Sequence, residues 1–177
     1  MVLSVNGERM NNEISPMLIE LVEVQANASN ARIDMSEMAY QRANDLRALH
    51  KKWEESGPHA AEWTKELRER TQAAQEVLAK AANLVMGTHV TGRERSRELL
   101  ASAKELAQFP DESPISLLRV MLVSYRREID VVLPPIAELF KELDRQVSEI
   151  DQFITSCIGA GGQGHSSKWF GRHKSGR

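Results

Sequence analysis

The chain has 177 residues, which is enough to bury one hydrophobic core without disulfides or metals to hold it. Its composition of 41% hydrophobic, 27% charged and 5% aromatic residues argues against global disorder and favours helices packed on helices. The formal net charge of −2 argues against a strongly basic nucleic-acid-binding protein.

A single cysteine and the absence of long apolar runs indicate the compartment. Cys157 is the only cysteine, so no intramolecular disulfide can form and a reducing compartment is expected. The first residues lack the basic and apolar regions of a conventional secretion signal, and no apolar run approaches the ~20 residues of a membrane-spanning helix. These features predict a soluble, cytoplasmic protein, and they leave open export by a route without such a signal.

The N-terminal third predicts a mobile arm followed by one long helix. Residues 1–14 show no helical period, whereas Ser15-Pro16 is typical of a helix start, with serine as the cap and proline at the first helical position. No further Gly or Pro occurs before Gly57-Pro58, which predicts a helix over 16–56. Its face between Gln25 and Arg32 is mostly alanine, which indicates either a closely packed neighbouring helix or a break.

Two further helices are predicted in the middle of the chain. Apolar spacing predicts a second helix over 58–86, ended by Gly87, and the two-residue connection before it makes the first two helices an antiparallel hairpin. Residues 88–92 are predicted to form a loop. A capping-box spacing that begins at Thr91 then starts a short third helix over 92–108.

The C-terminal third predicts two helices that meet at Pro134-Pro135. The fourth helix, 114–132, carries apolar residues in nearly every direction over its first half, which predicts a position at the centre of a bundle. The two prolines remove backbone donors and end it. The fifth helix, 135–158, shows the most regular apolar repeat in the chain, with a spacing of three and four residues as in coiled coils.

These elements predict an all-α, mainly antiparallel bundle of about five helices with a long N-terminal helix and flexible termini. The predicted organisation is a mobile arm over 1–14, a bundle domain over 15–158 and a flexible, Gly-rich basic tail over 159–177. The last fifteen residues hold four cations and no acid. Subtracting those four charges from the net charge of −2 leaves −6 on the rest of the chain.

The sequence contains no complete motif for catalysis or cofactor binding. Glycines 159, 161 and 164 have the spacing of a dinucleotide-binding loop, but they follow a helix instead of linking a strand to a helix start. No Glu-x-x-His pair and no zinc-ligand spacing occurs, so no metal or cofactor is expected. Cys157 lies on the apolar stripe of the fifth helix and is predicted to be a packed thiol, with a thiol available for intermolecular pairing as the alternative. The sequence therefore predicts no catalytic residue and no enzyme.

Two features point to interaction with partners. The first is the apolar stripe of the long first helix, which is longer than the predicted core can cover. Either the helix extends past the core and exposes part of this stripe to a partner, or it folds back and buries the stripe itself. The fifth-helix stripe is the predicted partner-binding set, and it consists of Ile136, Leu139, Phe140, Leu143, Val147, Ile150 and Ile154. We therefore expect a non-enzymatic assembly protein that binds another protein or itself, as a homo-oligomer.

The second feature is the basic, aromatic tail. Its cations attract phosphate, and its aromatic rings can stack on bases or enter a lipid interface. The candidate anion contacts are Lys168, Trp169, Phe170, Arg172, Lys174 and Arg177. The alternative function is therefore weak binding of nucleic acid or an acidic membrane surface through the tail, and a purely solubilising tail is the simpler interpretation.

Overall fold

The computed structural model describes residues 3–106 and 113–163, and the elements within those ranges are all helical. In chain order they are α1 (Leu3–Glu55), α2 (Ala61–Leu106), α3 (Ser113–Arg127), a π-helical turn (Glu128–Val132) and α4 (Leu133–Gln163). The all-α prediction is confirmed, whereas the division into about five helices is not. Instead, α1, α2 and α4 are three long helices of 53, 46 and 31 residues.

The first helix begins earlier than predicted. α1 starts at Leu3, so Pro16 lies inside the helix and not at its first position. A proline in a helix interior removes one hydrogen bond locally, and here the helical backbone continues on both sides of it. The mobility predicted for residues 1–14 stays a prediction. The alanine-rich segment does not break the helix, and the complete burial of Ala28 fits the alternative of a closely packed neighbour.

A turn connects α1 to α2 at the predicted place, but it spans residues 56–60 and not the two predicted residues, because α2 begins at Ala61. Gly57 adopts a φ of +100°, in the left-handed region where a side chain is strained. The Ser56 hydroxyl donates to the Trp53 carbonyl at 2.7 Å, which caps the end of α1. The His59 ring stacks on the Trp53 ring with centroids 3.6 Å apart, and this fixes the path of the turn.

The predicted stop at Gly87 and the predicted loop over 88–92 are wrong, because α2 runs through both. Glycine costs a helix interior about 1 kcal/mol relative to alanine, which weakens a helix but does not end it. The Thr88 hydroxyl donates to the Val85 carbonyl at 2.7 Å, and the Thr91 hydroxyl donates to the Gly87 carbonyl at 3.0 Å. Both threonines therefore bond back along the helix, where the sequence predicted a loop residue and a cap.

The predicted separation of two helices at Pro134-Pro135 is also wrong. The backbone stays helical from α3 through the π turn into α4, and the Leu133 N–H donates to the Glu128 carbonyl, five residues earlier. A proline ring crowds the carbonyl four residues before it and offers that carbonyl no N–H. The π turn lies at those carbonyls, and its wider geometry accommodates both prolines without ending the helix.

Packing divides the chain into two compact units. The first unit is Met1–Ala39 with Lys80–Phe140, and the second unit is Tyr40–Ala79 with Lys141–Arg177. In the first unit, one core cluster joins Leu21 and Ala28 of α1 to Leu118, Leu122 and Tyr125 of α3. The half-buried Met17 and Val24 complete a spacing of three and four residues on α1, which matches the spacing on α3, so one apolar stripe of α1 packs on one stripe of α3.

The second unit packs part of α1 beside part of α4 in the same direction. Arg42 bonds to Asp144, and ten residues further along α1 the Lys52 ammonium lies 2.7 Å from the Asp151 carboxylate. Because the partners advance together in both helices, α1 and α4 run parallel in this unit. Its buried apolar side chains include Leu46, Trp53, Leu67, Ala74, Leu143, Ile150, Ile154 and Cys157.

Candidate functional site

The apolar stripe predicted to bind a partner lies inside the chain. The buried members are Ile136, Phe140, Leu143, Ile150 and Ile154, whereas Leu139 and Val147 are half-buried. Because the chain's own packing already removes these side chains from water, they form no open surface. The burial of this stripe corrects the predicted location of the partner surface.

The tail and the cysteine offer no alternative site among the described residues. The candidate anion contacts Lys168, Trp169, Phe170, Arg172, Lys174 and Arg177 lie outside the described residues, so their role stays a prediction. Cys157 is buried, and this burial raises the pKa of its thiol. A thiol in that environment is a poor nucleophile, which fits the interpretation of a packed side chain.

An exposed apolar face occurs on α3. Its inner face contributes Leu118, Leu122 and Tyr125 to the core of the first unit. On its opposite face, however, Val120 and Val123 are 65% and 66% exposed. Residues three apart are neighbours on a helix surface, so the two valines form one apolar patch. The sequence correctly indicates apolar residues all round this helix, but the chain covers only one side.

Exposed apolar side chains are concentrated in the first unit. Among the described residues, eleven of the twelve large exposed hydrophobic side chains belong to it, and only Tyr40 belongs to the second. The eleven are Leu18, Ile19, Val22, Ile33, Leu84, Met86, Val90, Val120, Val123, Val131 and Val132. Scattered exposed hydrophobic residues are normal, but these are concentrated in one of the two units.

A buried ion cluster lies at the π turn of the same unit. Glu128, the first residue of the turn, is only 3% exposed. The Arg32 Nε donates to one of its carboxylate oxygens at 2.6 Å, and the Arg95 Nη1 donates to the other at 3.0 Å. One carboxylate therefore joins α1, α2 and the π turn, and its burial is tolerated because both oxygens receive charged hydrogen bonds.

Gly92 allows the Arg32 side chain to cross α2. A Cβ atom built on Gly92 would lie 2.7 Å from Arg32 Nη1 and 3.1 Å from its Cζ. The guanidinium thus lies directly against the α2 backbone, at a place where any other residue would displace it. Sequence reasoning interpreted this glycine as part of a loop, whereas its role is to admit an arginine.

A cleft of about 410 Å³ opens beside this cluster between α1 and α2. Its lining consists of Gln25, Ser29, Arg32, His89, Gly92, Arg93, Arg97 and Tyr125. Arg93 and Arg97 are four residues apart and therefore share one face of α2, whereas Arg95 lies on another face and reaches Glu128. The sequence shows arginines at 93, 95 and 97, but their faces become known only from the structure, in which α2 is continuous through this segment.

A second, more apolar groove of about 710 Å³ belongs to the second unit. It lies between α1 and α2, and its apolar side chains include Leu46, Trp53, Leu67 and Leu78. Arg47, His50 and Arg68 contribute to its polar part, and none of the described residues that line it is acidic. The groove has the composition of a surface that accepts an apolar side chain.

Neither a metal-binding cluster nor a membrane-spanning helix occurs in the described part of the chain. No group of three or more His, Cys, Asp or Glu side chains there is arranged to hold a metal ion. None of the helices in those ranges has the length and hydropathy that crossing a bilayer requires. Comparison of the chain with protein-family models, with curated proteins and with solved structures finds no match.

Proposed function

We propose that the chain is a non-enzymatic helical assembly protein that binds a second copy of itself through the outer face of α3. The observation that carries the proposal is that α3 is apolar on two opposite faces and the chain covers one of them. A helix that is apolar all round is stable in water only when both faces are covered. In the assembly, the second copy covers Val120 and Val123.

The residues around the patch suit a pair of antiparallel α3 helices. A twofold axis midway between residues 121 and 122 sets Val120 of each copy against Val123 of the other, which is the self-complementary contact of a symmetric dimer. The same register sets Arg127 of one copy opposite Ser116 of the other. No like charges therefore face each other across the patch, and the apolar contact is not opposed.

The non-enzymatic part of the proposal rests on the sequence. The chain lacks the paired carboxylate and histidine motif of di-iron bundles, and its one cysteine is packed in the second unit. Exposed apolar side chains and an arginine-lined cleft are instead features of a protein that binds partners.

Sedimentation velocity over a wide range of concentration tests self-association. We expect the mean mass of the native chain to rise with concentration, and each of the substitutions Val120→Glu and Val123→Glu to weaken association by about thirtyfold or more. Each substitution removes two valines from a symmetric dimer, one in each copy, and the loss of roughly 1–2 kcal/mol of apolar burial per valine therefore amounts to about 2–4 kcal/mol. Glutamate has a higher helix propensity than valine, so both variants should remain folded, with unchanged circular dichroism.

Tyr40→Glu provides the matched control. It introduces the same charge at an exposed apolar side chain, 71% exposed, but in the second unit. We expect this variant to associate like the native chain. A native chain that remains monomeric at every concentration would contradict the proposal, and so would equal loss of association in all three variants.

A further inference from the structure

We propose that the cleft between α1 and α2 in the first unit, formed by Arg32, Arg93, Arg97 and Tyr125, binds a phosphate group of a small molecule or a lipid headgroup. The cleft measures about 410 Å³. This binding function is separate from self-association through α3. It rests on the charge of the cleft, on the position of Arg32 and on the environment of Tyr125.

The charges around the cleft favour an anion. Arg32, Arg93 and Arg97 line it, and none of its described lining residues is acidic. Arg95 adds a fourth positive charge behind it, and Glu128, bonded to Arg32 and Arg95, balances part of this charge. Glu94 is not among the described lining residues, but it lies three residues before Arg97 and is therefore its neighbour on the helix surface. These four cations against the two carboxylates of Glu128 and Glu94 leave a local charge of +2 in a chain of net charge −2.

Arg32 is held so that part of its guanidinium remains available. Its Nε and Nη2 donate to the two oxygens of Glu128, at 2.6 and 3.4 Å. Its Nη1 lies over Gly92, on the other side of the guanidinium from the short bond between Nε and Glu128. A guanidinium fixed along one edge loses little freedom when it binds an oxyanion with the other, and arginine forks match the geometry of phosphate.

Tyr125 supplies an independent observation. The residue is only 2% exposed and lines the cleft. Its hydroxyl is not among the buried, unsatisfied polar atoms of the described residues, so it is open to water in the cleft, where a phosphate oxygen can replace that water as its hydrogen-bond partner. A phosphate oxygen in the cleft satisfies this hydroxyl, while Ser29 and Gln25 provide further polar contacts from α1.

Titration of the full-length chain with inorganic pyrophosphate at low salt tests the site by calorimetry. We expect Arg97→Ala to weaken binding about tenfold and Tyr125→Phe about fivefold, because each removes a hydrogen bond to a charged group. Arg68→Ala is the control, since it removes an exposed arginine from the same helix outside the cleft. It should leave the affinity unchanged. Unchanged circular dichroism establishes that the variants are folded, and Arg97→Gln replaces any alanine variant that is not.

A second arm identifies the source of the phosphate. The chain is mixed with phosphatidylcholine vesicles that contain or lack a phosphoinositide, and co-flotation is measured. Pyrophosphate binding that the two cleft variants weaken supports a soluble phosphate ligand, whereas phosphoinositide-dependent flotation that they weaken supports a headgroup. Binding in neither arm overturns the proposal. Binding that persists in both cleft variants, or that falls equally in Arg68→Ala, also overturns it, because the contact is then elsewhere, for example on the basic tail.

Discussion

At the scale of single residues, Glu128 is a buried carboxylate that two arginines hold in place. It is buried, it joins α1 and α2 to the π turn through two arginines, and no apolar substitute can replace its two acceptor oxygens. A buried ion pair adds little stability over an apolar pair of the same shape, but removing one partner leaves the other charge uncompensated.

Glu128→Gln should therefore lower the free energy of unfolding by about 3 kcal/mol, measured by urea denaturation. The cost arises because Arg32 and Arg95 lose their countercharge while they remain partly buried. Glu94→Gln removes an exposed carboxylate on α2 and should change stability by less than about 0.5 kcal/mol. Equal effects of the two substitutions would show that the cluster does not stabilise the first unit.

Cys157 should resist alkylation until the chain unfolds. Burial raises the pKa of the thiol, so the folded protein holds this proton more tightly than the unfolded chain does. The protonated thiol therefore contributes to the free energy of unfolding below the ordinary thiol pKa of about 8.5, and this contribution is lost as the pH rises above that value. We expect slow reaction with iodoacetamide in buffer and fast reaction in urea. Cys157→Ala should remove this part of the fall in stability at high pH, and rapid alkylation of the folded chain would refute the packed interpretation.

At the scale of elements, the helix boundaries depend on more than local propensity. The turn at Gly57 follows the sequence, because its positive φ requires glycine and no neighbouring contact competes with it. Gly87, Gly92 and the Pro134-Pro135 pair carry comparable signals and yet lie within helical backbone. In these places the packing of long amphipathic helices outweighs local costs of about 1 kcal/mol for each glycine.

Alanine substitution at the two α2 glycines separates helix propensity from packing. Gly87→Ala should stabilise the chain by about 0.5–1 kcal/mol, because a Cβ there meets nothing within 4 Å. Gly92→Ala gains the same propensity but displaces the Arg32 guanidinium, so we expect it to be less stable than Gly87→Ala by at least about 1 kcal/mol. Thermal and urea unfolding measure both variants, and equal stabilisation would contradict the role assigned to Gly92.

At the scale of the whole molecule, the exposed apolar side chains and the arginine-lined cleft of the described residues belong mainly to the same unit. The large exposed hydrophobic side chains of the described residues belong almost entirely to the first unit, and its cleft concentrates arginine. The basic aromatic tail, whose binding role stays a prediction, is a separate candidate for contact with anions.

Deleting residues 164–177 tests that role. If the tail binds polyanions, the deletion should abolish salt-dependent retention on RNA, DNA or acidic vesicles, since it removes all four cations of the C-terminal segment. The dependence on salt should be shallow, with a slope of about 3 in a plot of log K against log salt concentration. Pyrophosphate binding in the cleft and self-association through α3 should both survive the deletion. Retention that is unchanged in the shortened chain would show that the tail only solubilises.

The sequence by itself determined the helical class, the turn at Gly57 and the apolar character of α3 on all sides. These properties depend on composition, on local backbone freedom and on helical periodicity, and a single chain segment displays each of them. The sequence also indicated the regular apolar stripe from Ile136 to Ile154, but it did not indicate that this stripe packs inside the chain.

Only the tertiary structure decided which apolar faces are covered and which polar groups meet. Arg32 and Glu128 are 96 residues apart, and their contact requires α1, α2 and the π turn to pack at one point. The same packing buries the α4 stripe, leaves Val120 and Val123 exposed and assigns Arg93 and Arg97 to the cleft. Periodicity specifies that a face is apolar, but the free energy of burial depends on the neighbour that covers it, and that neighbour is distant in the sequence.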